Sequence, residues 1–191
     1  MKNYMEVSYF VGLLKECMKK KDPEQCLKIH SEILRRGLLQ KSPHVASALI
    51  SMYAKCGMFA KAKQVLAEIH YPTIVSWNAL ISVYVQQGQD HDALMCLGSL
   101  QSHGLSPNVV TFICILKACG NIGAIKRGRL VHDEIKRKGL LEVDFLLGTD
   151  LVDMYVKCGM SARVQEVLEE LLSLGLYQFQ DMPRRGIAKK H

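Results

Sequence analysis

The hexapeptide MYAKCG at 52–57 returns as MYVKCG at 154–159. A cysteine beside a lysine, present twice, carries the groups needed for a reactive thiol, a redox pair or a metal ligand. Spacing tests each possibility. Metal sites need Cys and His at short paired intervals, whereas Cys17 and Cys26 are nine residues apart, Cys114 and Cys119 are five apart, and C-x-x-C is absent. The seven histidines are scattered, and His30 and His132 occupy equivalent places in repeated text, as packing residues do. The stretch GNIGAIKRG lacks both the G-K-[ST] ending and the preceding strand of a phosphate loop, and neither G-x-S-x-G nor H-E-x-x-H occurs. The expectation is a protein that is not an enzyme, with no cofactor, no small-molecule substrate and no metal.

The cysteines must therefore be placed by the elements that carry them. The chain has 191 residues, 49% apolar and 23% charged, with five prolines. That is globular composition with long stretches free to be helical. The run TIVSWNALISVYV is too short to span a bilayer, so no membrane association is expected. Seven cysteines, an odd number without a signal peptide, point to a reducing compartment. The formal charge of +7 is unevenly spread. Segment 7–42 carries eight basic against four acidic residues and 109–144 seven against four, while 74–108 has no Lys or Arg. Basicity of this kind favours a polyanionic partner.

The two hexapeptides lie 102 residues apart (154 − 52). At that offset FVGLLKEC (10–17) lies over FICILKAC (112–119), and HSEILRRGLL (30–39) over HDEIKRKGLL (132–141). Laying 7–70 on 109–172 without a gap gives 23 identities in 64 positions, so the chain contains a duplication. The offset is itself composite. Phe10, Ala46, Trp77, Phe112 and Gly148 occupy one recurring position, at steps of 36, 31, 35 and 36. The units are 7–42, 43–73, 74–108, 109–144 and 145–175, followed by a tail, 176–191, that departs from the pattern.

Each unit reads as two helices. Leu49, Met52, Tyr53 and Cys56 fall at i, i+3, i+4 and i+7, and Gly57 follows where a left-handed cap favours glycine. Ala62, Val65, Leu66 and Ile69 make the stripe of the second helix. In 109–144 the stripes are Phe112, Ile115, Leu116 and Cys119, then Leu130, Val131 and Ile135. A unit of two short helices cannot bury its apolar stripe alone, so the units must stack into a solenoid.

The W-x-x-L-G-x-x-Y start of tetratricopeptide repeats is absent. The units instead resemble the pentatricopeptide repeat family of plants, in the subclass that mixes P, L and S motifs. IVSWNALISVYVQQGQDHDALMCLGSLQSHGLSPN (74–108) is similar to a P motif throughout. VVTFICILKACGNIGAIKRGRLVHDEIKRKGLLEVD (109–144) is similar to an L motif, and ASALISMYAKCG and GTDLVDMYVKCG resemble the opening of S motifs. The order L-S-P-L-S matches the observed steps. The resemblance implies an all-α fold, a right-handed α-solenoid of stacked helix-turn-helix repeats. It implies single-stranded RNA as partner, with editing or processing proteins beside it, and a role in the editing, processing or stability of RNA in mitochondrion or chloroplast.

In that family the fifth and last residues of a motif read a base and the apolar second residue sandwiches it. Carried over, the P unit offers Asn78 as fifth residue, Asn108 as last and Val75 as sandwiching residue. Two asparagines resemble the family's pyrimidine-reading pair, with cytidine favoured, and an amide both donates and accepts as a pyrimidine edge requires. The unit 43–73 offers Ser47 and Thr73 with His44 in second position, a pair off the usual code. The unit 145–175 offers Thr149, which points to a purine, with Gly175 as a silent partner. The L units offer Val11 with Ser42, and Ile113 with Asp144 and Val110; apolar fifth residues space or stack rather than specify. The alternative for Asn78 is that it satisfies a backbone donor near a helix start. The clusters KKK (19–21), KRGR (126–129) and KRK (136–138) are expected to be solvated faces first and phosphate attractors second.

E and deaminase-like domains are expected to be missing, the first unit leaves no room for a transit segment ahead of Val7, and the tail is expected to be degenerate or truncated. With one good reading pair, and stacking worth roughly 1–3 kcal/mol per base, weak and salt-sensitive binding is expected. The competing expectations are a helical scaffold for a protein partner and a non-functional fragment of a longer editing factor.

Overall fold

The computed structural model describes residues 2–175. Among them the chain forms eleven α-helices and one 3-10 turn, without a strand. The helices are α1 (Lys2–Lys20), α2 (Pro23–Arg35), α3 (Leu38–Lys41), α4 (Pro43–Lys55), α5 (Phe59–Glu68), α6 (Ile74–Gln86), α7 (Asp90–Ser102), α8 (Val109–Asn121), α9 (Ile125–Arg137), α10 (Phe145–Lys157) and α11 (Ser161–Ser173), with the turn at Leu140–Glu142. Helix α1 already runs from Lys2, ahead of the Val7 start expected for the first unit. The expected degenerate tail, 176–191, lies outside the described residues.

The helices form two layers. In the first, α1, α4, α6, α8 and α10 pack each on the next. In the second, α2, α5, α7, α9 and α11 pack on their own first-layer partners and close a single continuous core between the layers. This is the all-α solenoid the periodicity requires, because no pair of helices buries its stripe without a neighbour.

Local chemistry explains where the helices start and stop. Four first-layer helices begin behind a polar residue whose side-chain oxygen accepts a first-turn N–H: Ser42 from Val45 (3.4 Å), Thr73 from Ser76 (3.4 Å), Asn108 from Thr111 (3.1 Å) and Asp144 from Leu147 (3.2 Å). The second-layer helices α5, α7, α9 and α11 have no side-chain cap. The hexapeptide closes α4. Gly57 sits at φ +73°, its N–H donates to the Ala54 carbonyl (3.0 Å), and the Met58 N–H donates to that of Tyr53 (2.8 Å). These are the two bonds of a Schellman motif, which require a left-handed residue where Gly57 stands.

Leu49, Met52 and Tyr53, and Phe112, Ile115, Leu116 and Cys119, are all fully buried, with Cys56 half-buried at the end of its stripe. Two stripe assignments change. Leu130 is 64% exposed, and the inward face of α9 is Gly128, Val131, His132 and Ile135. Those four are spaced i, i+3, i+4, i+7, so Leu130 lies about 100° round the helix from Val131. Ile69 stands just past the end of α5 and is half-buried. The short helix α3 and the turn at Leu140–Glu142 occupy what reads in sequence as plain punctuation, and bury Leu38, Leu39 and Leu141.

Polar pairs tie the layers together. His30 Nδ1 lies 2.7 Å from the Tyr53 hydroxyl, and the duplicated pair, His132 and Tyr155, is at 2.9 Å. Burial pushes both imidazoles below their ordinary pKa, so each is neutral in the fold. The sulfurs of Cys17, Cys26 and Cys56 converge, with Sγ separations of 3.1 Å (Cys17 to Cys26) and 3.5 Å (Cys26 to Cys56). In the second copy Gly128 replaces Cys26, and Met154 fills the space: its Sδ lies 2.6 Å from where a Cβ on residue 128 would stand.

Candidate nucleic-acid interface

Each first-layer helix from α4 on opens with a cap and, two residues later, an exposed side chain. After Thr73 comes Val75, 50% exposed; after Asn108 comes Val110, 52% exposed; after Asp144 comes Leu146, 63% exposed. At α4 the same place holds exposed His44. Apolar side chains held out in water at one recurring helical position offer flat contact for a planar ligand. The caps themselves are Ser42, Thr73, Asn108 and Asp144, the residues expected to end each unit.

Asn78, one turn into α6, is brought against Asn108, thirty positions away. Its Nδ2 donates to Asn108 Oδ1 at 3.0 Å. The Thr111 hydroxyl lies 2.7 Å from Asn78 Oδ1 and 3.0 Å from Asn108 Oδ1. Thr111 also accepts the Asn108 backbone N–H at 3.2 Å, so Asn108 and Thr111 form a reciprocal capping box. Asn78 is buried and Asn108 is exposed, which leaves the pair open to solvent on the Asn108 side. Satisfying a backbone donor therefore falls to Asn108, while Asn78 bonds side chains only.

The other expected reading residues are not assembled in this way. The Ser47 hydroxyl donates back to the Pro43 carbonyl (2.8 Å) and that of Thr149 to the Phe145 carbonyl (3.3 Å). Thr73 meets Ser76 at 3.3 Å, and Gly175 carries only a left-handed backbone at φ +69°. Val11 and Ile113 are half-buried against the core, and buried Ser42 and half-buried Asp144 act as caps. Sequence reasoning misses Thr111. The spacing N-x-x-T at the start of an apolar run is a capping-box signal that points to it.

One charge of the basic clusters reaches this junction: Lys138 Nζ donates to Ser106 Oγ (2.7 Å) and to the Pro107 carbonyl (3.0 Å), next to Asn108. The clusters 126–129 and 136–138 both lie on or just beyond α9, in the second layer. The residues 19–21 close α1. On the first layer Lys117 pairs with Asp150 at 3.5 Å, and burial lifts the Asp150 carboxyl above its usual range despite that lysine. No helix among the described residues is long and apolar enough to cross a membrane.

Comparison with known proteins identifies repeats of one kind along the chain. Residues 72–121 match the PPR repeat family, and residues 45–70 and 149–176 match the PPR repeat. A putative mitochondrial pentatricopeptide repeat-containing protein of Arabidopsis thaliana is 35% identical over 161 residues, 84% of this chain and 26% of that protein. A second Arabidopsis thaliana pentatricopeptide repeat-containing protein is 31% identical over 178 residues, 93% of this chain and 24% of that one. The chain thus spans about a quarter of the length of the curated relatives it matches. The crystal structure of the maize pentatricopeptide repeat protein PPR10 superposes with a TM-score of 0.61 at 20% identity, covering 88% of this chain and 24% of that chain. PPR10 in complex with an 18-nt psaJ RNA element superposes at 0.58, with 19% identity over 88% of this chain and 30% of that one. With repeat matches across most of its helix pairs and relatives aligned over most of its length, the chain belongs to the pentatricopeptide repeat family.

Proposed function

We propose that this chain is a single-stranded RNA-binding module, a recognition element without catalysis, which acts in organellar RNA editing, processing or stability. The observation that carries the proposal is the Asn78–Asn108 amide pair, set between the exposed side chains of Val75 and Val110 at successive helix starts. Two valines supply faces for a base and the amides supply its hydrogen bonds, which is how a helical repeat reads one base at a time. The five units, in the order L-S-P-L-S, fit the mixed subclass of the family. The complex of PPR10 with RNA and the mitochondrial relative support the partner and the compartment, with a chloroplast as the other organelle the family resemblance allows. A cytidine at the Asn pair is the favoured base. At the other junctions Ser47 with Thr73, and Thr149, stand as weaker contacts; Val11 with Ser42, and Ile113 with Asp144, act as spacers.

Titration of short cytidine-containing RNAs at low and moderate salt tests the proposal. Binding that weakens with salt is expected, and Asn78→Ala or Asn108→Ala should lower affinity by about 1–3 kcal/mol. Absence of any complex at low salt would remove the RNA reading. A second interpretation, a scaffold for a protein partner, draws on the lysine-free segment 74–108. A cavity of about 470 Å³ between α5, α6 and α7, lined by Trp77, Tyr84, Met95 and His103, would be its contact.

A further inference from the structure

The polarity of the amide pair follows from one atom that has no choice. The Thr111 backbone N–H only donates, and it points at the Asn108 side chain from 3.1 Å, so the atom there is the carbonyl Oδ1. Asn78 faces that same oxygen at 3.0 Å and must therefore present its Nδ2. Its Oδ1 is then turned to Thr111, 2.7 Å away, and accepts a hydrogen bond from that hydroxyl, because a carbonyl oxygen only accepts; the Thr111 oxygen in turn accepts the Asn108 backbone N–H. Both amides are fixed in one sense through Thr111, which is wholly buried.

Resting on the RNA-binding proposal, we propose that Thr111 is a positioning residue that sets the hydrogen-bond polarity of the base-reading pair and so its preference for cytosine over uracil. With both carbonyl oxygens engaged inside the protein, the hydrogens left over are N–H groups, both of Asn108 and one of Asn78. Adjacent donors match the O2 and N3 acceptors of cytosine. Uracil places an N3–H there, against another N–H. Without the Thr111 hydroxyl the Asn78 Oδ1 loses its donor, and only the contact with Asn108 Oδ1 still opposes a turn of the amide, so the distinction weakens. At the third position of the neighbouring first helices stand Val45 and Leu147, which have no hydroxyl, and Ser76, which bonds Thr73.

The test compares homopolymeric cytidine and uridine RNAs of equal length, which removes any question of register. The wild-type protein should bind the cytidine polymer at least about fivefold tighter. Thr111→Val keeps the shape and the backbone N–H that Asn108 caps but removes the hydroxyl, so the ratio should fall to below about half its wild-type value; Thr111→Ser, which restores the hydroxyl, should restore the ratio. A Thr111→Val protein that keeps the wild-type ratio overturns the role of Thr111, as does a Thr111→Ser protein that loses it. If the wild type binds neither polymer, the RNA-binding proposal itself fails. Independently of any variant, NMR of the unliganded wild type should show one slowly exchanging side-chain amide proton on Asn78 and none on Asn108. The reverse pattern overturns the assigned amide polarity.

Discussion

Replacing Tyr155 with phenylalanine removes one oxygen from the interior and leaves the shape of the core unchanged. Tyr155 is 1% exposed and His132 is 7% exposed, so water does not readily take the place of the lost hydroxyl. The His132 Nδ1 loses its 2.9 Å bond, while its Nε2 is already buried without a partner. A ring with neither nitrogen satisfied incurs the desolvation penalty of an unmade hydrogen bond, about 1–3 kcal/mol. Taking about 2 kcal/mol as the middle of that range, the melting temperature of a chain this size should fall by about 4–8 °C. Urea denaturation followed by helical circular dichroism gives the total, and amide hydrogen exchange shows where it acts. Because each unit touches only its neighbours, protection should drop in α9 and α10 and persist in α2 and α4. The duplicate makes an internal control. In Tyr53→Phe the His30 ring has the Glu68 carboxylate 3.7 Å from its Nε2, close enough to close on it, so the loss should be smaller. A change within about 0.3 kcal/mol for Tyr155→Phe, or an equal loss of protection along the whole chain, would refute the reasoning.

Glycine in a helix separates open from crowded positions. Gly98→Ala, with free space around the new methyl group, should stabilise by about 0.5–1 kcal/mol, whereas Gly148→Ala drives a Cβ to 2.7 Å from Leu171 Cδ2 and should destabilise; thermal melts decide both signs. Both buried imidazoles have folded-state pKa values below the unfolded value of about 6.5, so the unfolded chain binds more protons as pH falls through that value. Stability should be flat in this respect above neutrality and decline as pH falls below about 6.5, by at most about 1.4 kcal/mol per pH unit for each histidine, as measured by urea melts. Burial raises the thiol of Cys26, and that of Cys119 to about 12, so neither should react with iodoacetamide at neutral pH until urea unfolds the chain, as read by mass spectrometry. Asp144→Ala should cost about 1 kcal/mol through loss of the α10 cap, measured by urea melts.

Much of this architecture is legible in the sequence because it is periodic. The offset of 102 residues, the stripes around Tyr53 and Phe112, and the glycine after MYAKC all report contacts between residues close in the chain. What escapes is whatever joins residues of different helices without a period. Thr111 meets Asn78 across 33 positions, and Cys26 meets Cys56 across 30. Spacing rules for paired ligands take no account of either. Leu130 misleads for a different reason. It is the larger apolar residue beside Gly128, and a stripe anchored on size lands on it, whereas the helix turns inward where Met154 needs a neighbour without a side chain. Asn108 is legible twice over, as the cap that starts α8 and as the proposed base reader, since the bond that makes the cap also fixes its amide.

The two layers are joined differently. First-layer helices are locked to one another through close-packed apolar contact. Between the second-layer helices α9 and α11 runs the ion pair of Lys136 with Glu170 (2.9 Å), and Gln40 of α3 donates to the Glu68 carbonyl at the end of α5 (2.7 Å). The ion pair is worth at most about 1 kcal/mol and weakens with salt, whereas the neutral amide bond is not screened in that way. Opening the Lys136–Glu170 pair leaves the core intact, because neither residue belongs to it. Salt therefore acts on the rim of the second layer and leaves the apolar packing of the first untouched.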